Sequence, residues 1–276
     1  MLFRATSRTL SKLSNFSRGY LDSSLTRVLN VHPEVLDALA SKKPVVALET
    51  TLVTHGFPYP TNYDLSNSLE SIVRSTGAIP ATIGIIEGRI KIGLEMAEVE
   101  RLANPEKPGS VVKISRRDIA PAVALRSSGG TTISATLIFA ALAGIKVFAT
   151  GGLGGVHRGG ELSMDISADL QELARCPVGL VSSGAKSILD IGRSVPWNTH
   201  SPHTAANILH TQSQLRMNNG ALFAVPIPAK FEAAGAEIQL AVDQAVAESE
   251  TNGISKRGKE ATPWLLKRLY SKITFE

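Results

Sequence analysis

Ile145-Lys-Val-Phe-Ala-Thr-Gly-Gly-Leu-Gly-Gly-Val-His-Arg-Gly-Gly160 takes an apolar, β-branched run straight into three glycine pairs. The run Ile145–Ala149 reads as a buried strand. Glycines after a strand let the backbone come close to a ligand, since no Cβ stands in the way. Successive N–H groups in such a loop can cradle an anion. His157 and Arg158 lie inside the loop, and the planar fork of an arginine suits phosphate. Asp165 and Asp169 follow four residues apart, a spacing that puts both on one face if the segment is helical. Val178-Gly-Leu-Val-Ser-Ser-Gly-Ala-Lys186 is a second short strand that empties into small residues and one lysine. A tight glycine connection without a ligand is the plain alternative. Glycines followed by His, Arg, two Asp and a Lys within one segment favour a site.

Working outward, Pro33–Ser41 reads as a helix with proline in its first turn. Pro44–Val53 reads as a strand with polar Glu49, Thr50 and Thr51 at its end, and Thr54-His55-Gly56 with Pro58 and Pro60 as a loop. Asn62 or Thr61 can cap a helix that runs to about Ser75. Pro80–Leu94 is a hairpin that turns at Glu87-Gly88. Ser110–Ser115 is another strand, followed by Arg116-Arg117-Asp118. Thr131–Thr150 is apolar but broken by Gly144 and Lys146, so it reads as a buried helix followed by a strand rather than a membrane span. Alternating helices and strands point to an α/β sheet with helices on both faces. Ligands in such sheets gather at strand carboxyl ends, and Glu49, Lys113, the glycine loop and Lys186 all fall at or near such ends.

Lys186 is the best candidate nucleophile. A lysine amine attacks aldehyde-level carbon to give an imine if burial or nearby charge lowers its pKa, and Ser182, Ser183, Gly184 and Ala185 leave it accessible. A surface lysine at a helix start is the bland reading. Lys113 could fix a phosphate by charge. Glu49 ends an apolar strand, where a carboxyl can act as general acid; a salt-bridged or capping glutamate fits its spacing equally well. Asp165 and Asp169 could hold a hard cation or sugar hydroxyls, or be one capping and one solvated aspartate. His157 alone is weak evidence.

The chain has 276 residues, is 43% hydrophobic and carries a formal charge of +5. Its one cysteine, Cys176, excludes an internal disulfide and reads as a buried thiol. Residues 1–30 hold five basic side chains (Arg4, Arg8, Lys12, Arg18, Arg27) against Asp22, a net +4, which leaves +1 for the rest. A nearly neutral body argues against a nucleic-acid-binding face. In residues 2–18 the basic side chains sort to one side of a helix and Leu2, Phe3, Leu10, Leu13 and Phe16 to the other, with no acid before Asp22. This pattern predicts a mitochondrial targeting segment over residues 1–24, removed from the mature chain, ahead of one α/β domain over 30–276.

Several segments together resemble the pseudouridine-5'-phosphate glycosidase family, also called indigoidine-synthase-A-like. They are Ala47-Leu-Glu-Thr-Thr-Leu-Val-Thr-His-Gly-Phe-Pro-Tyr-Pro-Thr-Asn62, Pro80-Ala-Thr-Ile-Gly84, Lys113-Ile-Ser-Arg-Arg-Asp118, Gly130-Thr-Thr-Ile-Ser134, 151–173 and Ser183-Gly-Ala-Lys-Ser-Ile-Leu-Asp190. The resemblance implies an α/β/α sandwich with a central mixed sheet, a homotrimer and a divalent metal, usually manganese. It implies reversible cleavage of pseudouridine 5'-phosphate to uracil and ribose 5-phosphate. By position Lys186 is similar to the family's Schiff-base lysine, Glu49 to its proton donor and Asp165 to its metal ligand. Lys113, Ile133, Ser167, Ala168 and Asp169 match substrate-binding positions, and His157 and Thr150 also fall at site positions. No membrane or nucleic-acid partner is expected.

Three departures accompany the resemblance. The sequence is shorter than the family pattern after Arg193 and at its carboxyl end. The family's Ala-Asn-Pro-Ile-Pro reads Ala224-Val-Pro-Ile-Pro228, so Val225 stands where the family has an asparagine that contacts substrate. Two other readings stay open at this point: a member that binds a phosphosugar without turnover, and a different Schiff-base lyase of aldolase type.

Overall fold

The computed structural model describes residues 25–107, 109–155, 166–183, 199, 201–226, 228, 235–254, 264 and 268. The chain divides into two compact units, Met1–Val225 and Pro226–Glu276. Among the described residues no helix is long and apolar enough to cross a membrane.

The first unit is built on a mixed sheet in the order β1-β4-β3-β2-β7-β8-β9, with β6 beside β3 and β5 beside β6. The strands are β1 (Leu29–Val31), β2 (Val45–Leu48), β3 (Ile79–Ile86), β4 (Arg89–Ile92), β5 (Val111–Ile114), β6 (Ser128–Thr131), β7 (Val147–Thr150), β8 (Gly179–Ser182) and β9 (Ala221–Ala224). β3, β2, β7, β8 and β9 run parallel, so their carboxyl ends share one edge. β3 and β4 are antiparallel and turn through Glu87 and Gly88, both at positive φ, as the hairpin reading expects. Helices are α1 (Pro33–Ala40), α2 (Thr51–His55), α3 (Thr61–Ser75), α4 (Met96–Ala103), α5 (Ile119–Ala124), α6 (Ile133–Ala143), α7 (Ala168–Leu173) and α8 (Pro202–Gln214). The second unit holds α9 (Gly235–Thr251), where Arg268 pairs with Glu248.

Both faces of the sheet are covered, which is why β3 is buried along almost its whole length. Ile83 and Ile85 of β3 join the main core with Leu137 and Phe139 of α6 and Phe148 of β7. Ile86 belongs to a smaller core with Val53, Leu94, Val99 and Leu102. The α6 helix is apolar all round, as a helix sunk in the core must be. It ends at Gly144 in the left-handed conformation.

Two expectations are corrected. Pro44–Val53 is not one strand. It stops at Leu48, and Thr51–His55 is the helix α2 rather than a strand end and loop. Burial of Val53 in the smaller core decides this over local β propensity. Asn62 does not cap α3; its N-cap is Pro60, without a side-chain hydrogen bond. The buried Asn62 amide instead donates to Val53 O at 2.7 Å and Ala103 O at 2.9 Å, tying α2 and α4 to α3.

The α2 helix lies against β6 because β6 carries glycine there. A Cβ on Gly130 would stand 2.2 Å from Thr54 Oγ1 and 2.6 Å from Thr50 O. Gly130→Ala is therefore expected to lower stability by at least about 2–3 kcal/mol, as over-packing against backbone does. Thermal unfolding checks this; an unchanged Tm would show that α2 can move freely.

Candidate active site

β2 ends at Leu48, whose register partner on β7 is Ala149. The next residue on each strand, Glu49 and Thr150, therefore meets its neighbour at the carboxyl edge. The Thr150 hydroxyl donates to Glu49 Oε1 at 2.8 Å. On the far side of β7, Thr150 pairs in register with Ser182 of β8, and the Ser183 hydroxyl donates to Gly151 O. Val225 lies just past β9, and its N–H donates to Ser182 O at 2.8 Å. Its side chain is 49% exposed at this same edge. Glu49, Thr150, Ser182, Ser183 and Val225 thus form one line across four strands, where α/β sheets hold their ligands.

The described half of the glycine loop is pinned from α7. Ser167 caps this helix, accepting from Asp169 N, and donates its own N–H to Gly155 O at 3.0 Å. The buried Asp169 carboxylate accepts from Gly154 N at 3.1 Å through Oδ2 and from Ser134 N at 2.8 Å through Oδ1. An anion at the first turn of α6 is favoured by the helix dipole. Gly154 is required for this approach, since a Cβ there would stand 2.7 Å from Asp169 Oδ2. The Gly154 N–H, read from sequence as part of an anion cradle, thus holds the protein's own carboxylate. α7 begins at Ala168, and the helical face considered for Asp165 and Asp169 involves Asp165, which lies outside the described residues.

Ile133 opens α6 with its side chain in the main core, so only its main chain is placed to meet a ligand. Lys113 is half-buried on β5, in register with Gly130. Arg116 follows β5 and pairs with Glu172 of α7, a buried acid that also meets Arg175 at 3.6 Å. This pairing ties the Lys113 strand to the helix that carries Asp169. Cys176 is buried as expected, and burial pushes its thiol up from its ordinary pKa, against the pull of Arg116 and Arg175. Lys186, Asp165, His157, Arg158 and residues 1–24 lie outside the described residues.

Sequence reasoning passed over His55. Its Nδ1 lies 2.7 Å from Thr54 Oγ1. Burial, then the Lys113 charge, holds its pKa below the ordinary histidine value. The signal was available in its spacing: four residues after Thr51, it shares a face with Thr51 on a helix, but reading the segment as a loop hid this.

A parallel-stranded edge that brings together a carboxyl, hydroxyls and a pinned glycine loop is the working edge of an α/β enzyme. The family model described as indigoidine synthase A like protein matches residues 34–195 and 192–274, and the chain belongs to that family. It is 40% identical over 280 residues to a pseudouridine-5'-phosphate glycosidase of Staphylococcus aureus (strain MW2), covering 91% of this chain and 90% of that one. It is 44% identical over 272 residues to a pseudouridine-5'-phosphate glycosidase of Escherichia coli (strain K12), covering 88% and 86%. Among solved structures, the prealnumycin C-glycosynthase AlnA in complex with ribulose 5-phosphate superposes with a TM-score of 0.76 at 34% identity, covering 89% of this chain and 88% of that one.

Proposed function

We propose that this chain cleaves the carbon–carbon glycosidic bond of pseudouridine 5'-phosphate reversibly, giving uracil and ribose 5-phosphate. The observation that carries this reading is the Thr150–Glu49 hydrogen bond at the carboxyl edge, in a chain whose curated relatives bear that activity in their names.

The chemistry requires an amine. A carbon–carbon bond to uracil offers no heteroatom leaving group to protonate. Lys186 attacks C1' of the ribose, forming a C–N bond as the C1'–O4' bond breaks, and Glu49 gives its proton to O4'. The adduct nitrogen, an ammonium after the attack, loses a proton, its lone pair then forms C=N as the C1'–C5 bond breaks, and the departing electron pair on uracil C5 takes a proton. Water hydrolyses the imine to release ribose 5-phosphate and the free amine. Lys186 follows Ser183 by three residues, and three residues of chain span at most about 11 Å, which supports a lysine working near the Thr150–Ser182 edge. Thr150 donates to Glu49 Oε1 and holds the carboxyl that gives the proton. Lys113 holds the phosphate by charge.

Asp165 is proposed to hold a divalent ion, manganese by family resemblance. Among the described residues no group of three His, Cys, Asp or Glu could hold a metal, and Asp169 is committed to two main-chain N–H groups. Asp165 would then share the ion with water and substrate oxygens, a donor set that hard cations accept. The ion would supply positive charge for those oxygens. A homotrimer and mitochondrial import through residues 1–24 complete the proposal; native mass of the purified protein and import of a fusion bearing residues 1–30 check them.

The deciding experiment is uracil release from pseudouridine 5'-phosphate by the purified chain with manganese added. Ribose 5-phosphate binding without uracil release would favour a non-catalytic binding protein. Val225→Asn restores a polar side chain at the edge. It is expected to raise kcat/KM by about 2–10-fold, the worth of one hydrogen bond; no change would place that side chain outside substrate reach.

A further inference from the structure

β3 changes partner in mid-strand. Thr82 is in register with Leu48 of β2, and Gly84 with Gly130 of β6; β4 runs along the other edge. Ile83 stands at the fork. Its carbonyl accepts two hydroxyls, Thr50 Oγ1 and Thr131 Oγ1, each at 2.7 Å. Thr50 Oγ1 also accepts from Thr131 N at 2.9 Å, and Thr131 Oγ1 accepts from the Thr136 hydroxyl of α6 at 2.9 Å. All three threonines are fully buried. Each hydroxyl proton therefore has its own acceptor, and the network runs in one direction, towards Ile83 O.

Thr50 is the N-cap of α2, a position where a threonine oxygen ordinarily accepts from the first turn of its helix. It makes no such bond; its hydroxyl reaches across to β3 instead. Glu49 lies between Thr50 and Leu48, and Leu48 is held in register by β3 on one side and β7 on the other. The main chain is thus fixed immediately before and immediately after Glu49. Those two anchors set the direction in which the Glu49 side chain leaves the sheet on its way to Thr150. A valine methyl in place of either hydroxyl would need about 3.3–3.6 Å from the carbonyl oxygen. Against the present 2.7 Å, that opens the fork by about 0.6–0.9 Å.

We propose that Thr50 and Thr131 are positioning residues for the proton donor: by clamping the fork at Ile83 O, they aim the Glu49 carboxyl at the ribose ring oxygen. Neither hydroxyl touches substrate, since both are sealed in the interior. They act through the main chain of Glu49. Thr136 supports Thr131 from behind and has no direct bond to the fork carbonyl. The inference rests on the reading of Glu49 as the acid of the reaction.

A double-mutant cycle tests it. Uracil release is measured for Thr50→Val and Thr131→Val, each in the wild-type and in the Glu49→Gln background, at a temperature where circular dichroism shows every variant folded. In the wild-type background kcat should fall by about 10–100-fold, the scale of a misplacement approaching 1 Å, with KM little changed. In the Glu49→Gln background the same substitutions should change kcat by no more than about 2-fold, because a residue that acts through the acid has nothing left to aim. Thr50→Ser keeps the hydroxyl and should restore most of kcat. Thr136→Val leaves both bonds to Ile83 O in place, so it should lower Tm and keep kcat. Equal losses in the two backgrounds, wild-type kcat in folded Thr50→Val, or an equal loss in Thr136→Val would overturn the proposal while leaving the activity standing. If Thr50→Val does not fold, the Thr131→Val cycle decides alone. Unchanged kcat in Glu49→Gln, or no uracil release by the wild type, would defeat the parent reading and the positioning role with it.

Discussion

Replacing Lys186 by arginine is expected to lower kcat for uracil release by on the order of 10⁵–10⁶-fold, the scale seen when a covalent nucleophile is removed. Arginine keeps the positive charge, and guanidinium stays protonated at any working pH. Charge-based binding therefore survives while imine formation does not. Borohydride should trap ribose 5-phosphate on the wild type and leave the variant unlabelled. Residual turnover within 10-fold of wild type would remove Lys186 as nucleophile and with it the imine route.

Glu49→Gln is expected to lower kcat by about 10²–10⁴-fold, the usual contribution of a positioned acid. The variant is a clean test because of what it leaves in place. Thr150 donates to Glu49 Oε1, and the amide oxygen of glutamine can accept that same hydrogen bond. The hydrogen bond from Thr150 is retained while the transferable proton is lost. KM should change little, and the limb of the pH–rate profile that reports Glu49 should vanish. Unchanged kinetics would move the acid role elsewhere.

How much of this could be read from sequence follows from local signals. β7 and β8 were legible because apolar, β-branched runs empty into small residues, and the hairpin because Glu87-Gly88 turns tightly between two apolar stretches. β6 gave no such signal. Ser128-Gly-Gly-Thr131 is depleted in strand formers, and its glycines answer to close approach by Ile114 and by α2 rather than to any local preference. α2 was hidden for a related reason: Thr, Val and Thr favour strands, and the burial of Val53 that makes it a helix is a tertiary fact. Glu49 and Thr150 were both singled out from sequence, but their contact spans 101 positions and no spacing rule announces it. The hold of Asp169 on Gly154 N was not legible, because a carboxylate beside glycines looks the same on paper whether it meets a ligand or holds the loop.

The long reach of these contacts governs how the protein must assemble. Thr50 and Thr131 hydrogen-bond to Ile83 O from 33 and 48 residues away, and the strand that carries Glu49 sits between β3 and β7, which come later in the chain. Chains dominated by such distant pairings fold slowly, and here no early fragment contains even a rudimentary catalytic edge. Recovery of turnover after denaturation should therefore lag behind recovery of helical circular dichroism, and a growing polypeptide would leave the ribosome inert until β8 had found its place.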